Sequence, residues 1–198
     1  LGKGQFQLDV VSLFPSDTWD NGKSVFRADI MQNLKEYAPD FIRFPGGCIV
    51  HGVNEATMYH WKKTIGPIEN RPGQWSKWAP YYRTDGIGYH EFYELCEYLG
   101  ADAMYVIPTG MICTGWVKQS SPWNFIQPDV DLDAYIQDVL DAIEYAIGPE
   151  TSKWGALRVK NGHPKPFPLK YIEIGNEDFG PVYWERYEKI YQALHKQY

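Results

Sequence analysis

Four times along the chain a short run of β-forming residues gives way to a stretch whose apolar residues recur every three or four positions. The runs are "DVVSLFP" from Asp9, "FIRFPGG" from Phe41, "AMYVIPTG" from Ala103 and "YIEIGNE" from Tyr171. In the first stretch that follows, Phe26, Ile30, Leu34 and Tyr37 form a helical stripe that Pro39 ends. In the second, Phe92, Leu95, Cys96 and Leu99 share a face, and Gly100 is placed as the C-terminal cap. The third opens at Asp131 as N-cap, turns Leu132, Ile136, Val139, Leu140, Ile143 and Ile147 inward and stops at Gly148-Pro149. The fourth starts near Tyr183 and carries Tyr187, Ile190, Tyr191 and Leu194. Strand and helix in alternation predict an α/β fold of parallel strands joined by helical crossovers.

Loop lengths separate the two ends of the expected sheet. The helix-to-strand connections at Ala38-Pro39-Asp40 and Gly100-Ala101-Asp102 are tight, whereas the loops leaving the second and third strands are long, and such loops are usually functional. They hold Tyr59, Trp61, Trp75, Trp78, Tyr81 and Tyr82 in one case and Trp116 and Trp123 in the other. In α/β sheets and barrels alike, ligands bind at the carboxyl ends of the strands, where these loops gather. Aromatics make up 16% of the residues, a level that suits surfaces stacking against the flat apolar faces of sugars. A net charge of −6 without a basic stripe argues against nucleic acid or an anionic membrane as partner, and favours a neutral or cationic small ligand. No apolar run approaches the roughly 20 residues of a membrane span. One connection, Gly148 to Leu169, is long on the opposite face and carries no functional pattern.

The abrupt stop of the last strand in "GNED" carries the chemistry. Strand parity puts Tyr171, Glu173, Gly175 and Glu177 on one face, with Glu173 deep, Glu177 at the mouth and Asn176 turned away. For amide and carboxylate to address one ligand the backbone must bulge near Gly175. A carboxyl group at such a rim is a candidate general acid; the competing reading is that Glu177 and Asp178 merely open a helix. In "RFPGG" the same parity turns Arg43 inward, where a guanidinium demands a carboxylate partner, and Glu173 is one candidate. Gly46 and Gly47 let backbone approach a ligand closely, or simply make a turn. Cys48, Cys96 and Cys113 are odd in number and far apart, which supports neither a disulfide framework nor a metal site. Cys48 reads as a small buried hydrophobe, and His51, His60 and His90 as hydrogen-bonding residues. Neither metal spacing nor a phosphate-binding glycine loop is present, so no cofactor is expected.

The blocks "FIRFPGGCIVHG", "WKKTIGPIENRPGQW", "GIGYHEFYELCEYLGA" and "WGALRVKNGHPKPFPLKYIEIGNED" resemble, in order, the α-L-arabinofuranosidases of glycoside hydrolase family fifty-one. The resemblance implies a (β/α)8 (TIM) barrel that hydrolyses terminal α-L-arabinofuranosyl linkages of arabinose-containing oligo- or polysaccharides with retention. "FIRFPGG", "AMYVIPTG" and "YIEIGNE" would be barrel strands two to four. It further implies Glu177 as acid/base and Asn176 as the residue bonding the sugar hydroxyl beside the anomeric carbon. Arg43 would steady the nucleophile, Cys48 with Gly47 would line the arabinose pocket, and Trp61 would stand in its wall. His51, where a Glu is common, and "IPTGM" depart from the family pattern.

The family's nucleophile lies on the seventh strand, and no residue here matches it. The expectation is therefore a partial barrel domain over residues 1–198, with residues 1–20 at the edge of a neighbouring domain. Such a piece, with open strand edges, is expected to self-associate, and the full protein could equally be a homo-oligomer. The opening Leu1-Gly2 reads as a processed or excised piece, which leaves localisation unread and compatible with a secreted or periplasmic protein. Two other readings stay open: a related xylosidase or endoglucanase, and a carbohydrate-binding or assembly module without chemistry.

Overall fold

The structure, a computed structural model, describes residues 4–9, 11, 13–76, 81–113, 124–126 and 130–198. In chain order the elements are α1 (Ala28–Tyr37), β1 (Phe41–Phe44), a hairpin of β2 (Gln74–Trp75) and β3 (Tyr82–Arg83), α2 (Tyr89–Leu99) and β4 (Asp102–Ile107). A second hairpin of β5 (Met111–Cys113) and β6 (Asn124–Ile126) follows, then α3 (Leu132–Ile147), α4 (Lys153–Lys160), β7 (Leu169–Ile174) and α5 (Pro181–Gln197). The central sheet is parallel in the order β1-β4-β7, with Phe44 opposite Tyr105 and Ile107 opposite Ile174. Strands successive in the chain lie side by side, with helices in the crossovers, as the alternation predicts.

The two faces of this sheet differ in chemistry. Ala103, Tyr105 and Ile107 of β4 point to the outer side, where they meet Tyr89, Phe92, Tyr93 and Cys96 of α2 and Val139, Ala142, Ile143 and Tyr145 of α3. Aromatic rings fill much of that core, Tyr89 meeting Tyr105 edge-on at 4.6 Å and Phe44 stacking on Phe92 at 4.8 Å. The opposite face carries Arg43 and Glu173. Helix ends follow their local signals: Gly100 caps α2 in the left-handed region (φ 72°), and the Asp131 side chain accepts from Ala134 N to start α3.

Several expectations are corrected. "DVVSLFP" forms no strand over its described residues, and Val11, Leu13 and Phe14 are exposed, because no strand among the described residues lies beside it to pair with. Of the predicted stripe, Phe26 is buried and meets Tyr98 edge-on and Leu34 is partly buried, while Ile30 and Tyr37 are exposed and helix α1 buries Met31 instead. The long Gly148–Leu169 connection holds α4, anchored by the fully buried Arg158, whose guanidinium donates to the carbonyls of Tyr145, Ala146, His163 and Pro164. Cys48 and Cys113 form a disulfide between the loop after β1 and β5, against the expectation that the cysteines stand apart. Spacing could not reveal it, since 65 residues separate the two and only the gathering of both loops at one sheet end joins them. Trp78, Trp116 and Trp123 lie outside the described residues.

Candidate active site

Strand β7 ends at Ile174, three residues earlier than a strand running to Glu177 would, because the backbone turns sharply there. Gly175 has φ 85° and Glu177 φ 53°. Gly175 still belongs to the ladder, donating to Ile107 O at 2.9 Å. A Cβ on Gly175 would overlap the Asp178 carboxylate and come within 3.2 Å of Thr109 Cγ2, so the turn requires glycine. Where a bulge is expected, the backbone makes a turn that ends the strand. Its effect is to bury Asn176 beside the sheet while Glu177 stands exposed at the carboxyl end of the strands. Helix α5 begins only at Pro181, with no acid in its first turn, so Glu177 and Asp178 do not serve as helix-opening acids.

Arg43 reaches across β4 to meet this turn. Its Nε and one terminal nitrogen each donate to a Glu173 oxygen at 2.5 Å, and the same terminal nitrogen donates to Asn176 Oδ1 at 2.8 Å. The Glu173 carboxylate holds the guanidinium above its ordinary pKa, with a smaller contribution from Glu177. Arg43 is exposed along the described sheet, its side chain 35% accessible, which corrects the expectation of an interior guanidinium. A Cβ on Gly46 would overlap that guanidinium, so this glycine makes room for the side chain. Because a guanidinium only donates, it fixes which atom of the Asn176 amide faces it. The other amide atom, Nδ2, is buried and has no partner among the described residues. An unspent donor beside an exposed carboxyl group is what a polar ligand would use.

Cys48 also sits here, its Sγ 3.9 Å from Glu177 Oε2; bonded to Cys113, it carries no proton and offers a polarisable wall. Gly47, in a left-handed conformation (φ 59°), faces open space. Trp61 does not join them. It is 1% exposed, packs against Tyr89, Tyr145 and Trp154 and donates Nε1 to Asp138 O, which places it in the core between α2, α3 and α4. Beneath the turn lie three buried groups: His51, which makes the hydrogen bonds expected of it, and Thr109 and the Asp178 carboxylate, to which sequence reasoning gave no part in the site. Asp178 Oδ1 is 3.0 Å from His51 Nε2, and Oδ2 accepts from Thr109 Oγ1 at 2.7 Å. Among the described residues no group of three or more His, Cys, Asp or Glu side chains is placed to hold a metal ion.

The family model for the alpha-L-arabinofuranosidase 1 domain matches residues 33–198. Alpha-L-arabinofuranosidase 1 of Arabidopsis thaliana is 40% identical over 99% of this chain and 27% of its own length. An extracellular exo-alpha-L-arabinofuranosidase of Streptomyces chartreusis is 36% identical over 96% of this chain and 24% of its own length. Among solved structures, an arabinose-bound α-L-arabinofuranosidase of the GH51 group superposes with a TM-score of 0.72 at 36% identity, covering 86% of this chain and 27% of the other. The chain thus spans about a quarter of the length of the relatives it matches. Sequence similarity along nearly the whole chain and a shared backbone course agree: the chain belongs to the α-L-arabinofuranosidases of glycoside hydrolase family fifty-one, and its three parallel strands are a segment of a (β/α)8 barrel.

Proposed function

We propose that this chain is the acid/base-bearing part of a retaining α-L-arabinofuranosidase acting on arabinose-containing oligo- or polysaccharides. Glu177 protonates the departing glycosidic oxygen, then as a carboxylate takes a proton from the water that resolves the glycosyl-enzyme intermediate. The nucleophile is a carboxylate outside these 198 residues, held about 5–5.5 Å from Glu177 as retention requires. Asn176 donates Nδ2 to the sugar hydroxyl next to the anomeric carbon. Arg43 holds the Asn176 amide in that orientation through Oδ1 and steadies the nucleophile, while Cys48 and Gly47 line the sugar pocket. The observation that carries this reading is the unspent, buried Nδ2 of Asn176 beside the exposed carboxyl of Glu177, at the carboxyl end of parallel strands.

The test uses the full-length protein and aryl arabinofuranosides. Glu177→Ala should lose most rate on poor leaving groups, by about 10²- to 10⁴-fold, because a good leaving group needs little protonation. Added azide should restore turnover and yield the arabinosyl azide. Asn176→Ala should slow all substrates alike, since its hydrogen bond to the sugar strengthens in the transition state whatever the leaving group. Equal loss on good and poor leaving groups for Glu177→Ala, with no azide product, would show the acid/base assignment to be wrong.

A further inference from the structure

We propose that His51, Asp178 and Thr109 are positioning residues that lock the backbone of Glu177 in the conformation from which its carboxyl reaches the leaving oxygen; the proposal rests on the acid/base reading of Glu177. The starting observation is the φ of 53° at Glu177. A residue with a Cβ is strained in the left-handed region, so contacts around it must hold it there. Those contacts lie on both sides of Glu177. Asn176, the residue before it, has its backbone nitrogen and oxygen each 3.2 Å from His51 Nε2. Asp178, the residue after it, has Oδ1 3.0 Å from the same nitrogen. One imidazole edge therefore grips both neighbours of the acid/base residue.

The rest of the network closes the clamp. Asp178 Oδ2 accepts from Thr109 Oγ1 at 2.7 Å, which ties the turn after β7 to the segment after β4. His51 and Thr109 are fully buried, and the Asp178 side chain is 1% exposed, so these bonds form in a dry environment where hydrogen bonds to a carboxylate are strongest. With a carboxylate oxygen beside it, Nε2 carries the proton and donates to Asp178 Oδ1, with Asn176 O as a second, longer acceptor, so the hold on Asn176 runs through its carbonyl and not through its N–H. The reverse tautomer would set a ring lone pair against carboxylate lone pairs. Gly175 completes the design, because the space that its missing Cβ leaves is taken by the Asp178 carboxylate and the Thr109 methyl. None of the three side chains reaches the exposed mouth; they act through the backbone of residues 176–178.

A positioning role separates from a purely structural one by leaving-group dependence. In the full-length protein, Thr109→Val and Asp178→Asn should lower kcat/KM about tenfold on phenyl arabinofuranoside while leaving the 2,4-dinitrophenyl substrate within about threefold, because Arg43 and His51 still hold Asn176 and only the former substrate needs the proton. Thr109→Ser, which keeps the hydroxyl, should restore the phenyl substrate. Loss that is equal on both substrates, or absent, overturns the proposal. Should the wild type hydrolyse no aryl arabinofuranoside, the acid/base reading fails on its own, and crystal structures then decide the positioning claim. Glu177 should keep its positive φ in the wild type and lose it in Asp178→Asn; an unmoved Glu177 would refute the clamp. Thermal unfolding of each variant identifies any that has simply failed to fold, and the Thr109→Val and Thr109→Ser pair, the mildest change, then carries the comparison.

Discussion

Gly175→Ala probes the turn that makes the site. The substitution imposes two separate costs. At φ 85° an L-residue is strained by about 1–2 kcal/mol whatever its surroundings. The new Cβ would also overlap the Asp178 carboxylate, so Asp178 must leave its place between His51 and Thr109. Each buried bond to that carboxylate is worth about 1.5–3 kcal/mol, which brings the rigid-body cost to about 4–8 kcal/mol. That rivals the whole stability of a domain, about 5–15 kcal/mol, so the turn will yield before the fold does. Residues 176–178 can swing outward while β7 keeps its ladder to β4. The surviving cost should be about 2 kcal/mol, a fall in Tm of about 4–8 °C. Activity of the full-length protein on 4-nitrophenyl arabinofuranoside should fall far more steeply than stability, because Asn176 and Glu177 move with the turn. Gly100→Ala is the matched control. It shares the left-handed φ (72°) but its Cβ would meet nothing within 4 Å, so it should cost only the strain and leave turnover unchanged. The reasoning is refuted by a Gly175→Ala protein with wild-type turnover and a Tm no lower than that of the control.

Arg158→Met should destabilise the α3–α4 corner by several kcal/mol, since four backbone carbonyls lose a charged donor worth about 1.5–3 kcal/mol per bond; urea denaturation together with hydrogen exchange over residues 140–168 would register it. Burial pushes the Cys96 thiol up to about 12 from its ordinary 9.0. The folded state therefore holds that proton more tightly, and the associated stability should be intact below about pH 9 and decline as pH rises towards 12, which denaturation midpoints against pH would follow. The isolated chain should self-associate. Strands β1 and β7 edge the described sheet, Phe41 and Tyr171 are exposed, and an apolar groove of about 430 Å³ lies open between β7, α3 and α5; sedimentation showing a clean monomer at micromolar concentration would contradict this.

What the sequence could reveal depended on whether the deciding interaction was local. Helices α2 and α3 were readable because Gly100, Asp131 and the 3.6-residue stripes act within a turn or two. The parallel strands were readable because short apolar runs alternated with those helices. Helix α4 was not. Its residues, "KWGALRVK", carry no apolar stripe, and its anchor is one arginine whose acceptors lie mostly on α3 and the following loop. The strand-like "DVVSLFP" and the wall assigned to Trp61 failed for a related reason. β-propensity and aromaticity describe what a residue can pack against, and only the fold supplies the neighbour, here no strand among the described residues in the first case and the Tyr89, Tyr145 and Trp154 rings in the second.

The site itself was half legible, and the illegible half has one physical cause. Parity along an ideal strand sets Asn176 and Glu177 on opposite faces, and the demand for a bulge at Gly175 followed from asking both to serve one ligand. The position of the turn could be inferred, because glycine alone tolerates it. Its form could not, because a second left-handed residue, Glu177 itself, is stabilised by groups 68 to 126 positions away in the chain. His51, read from the sequence as a hydrogen-bonding residue with no partner assigned, and Thr109 lie in the two segments that depart from the family pattern, and in the fold both meet the same carboxylate, Asp178. Substitutions that look independent in a sequence are thus joined through one hydrogen-bond network. A double change at His51 and Thr109 should therefore be non-additive, with a coupling of about 0.5–3 kcal/mol in a double-mutant cycle, where unconnected positions would simply add.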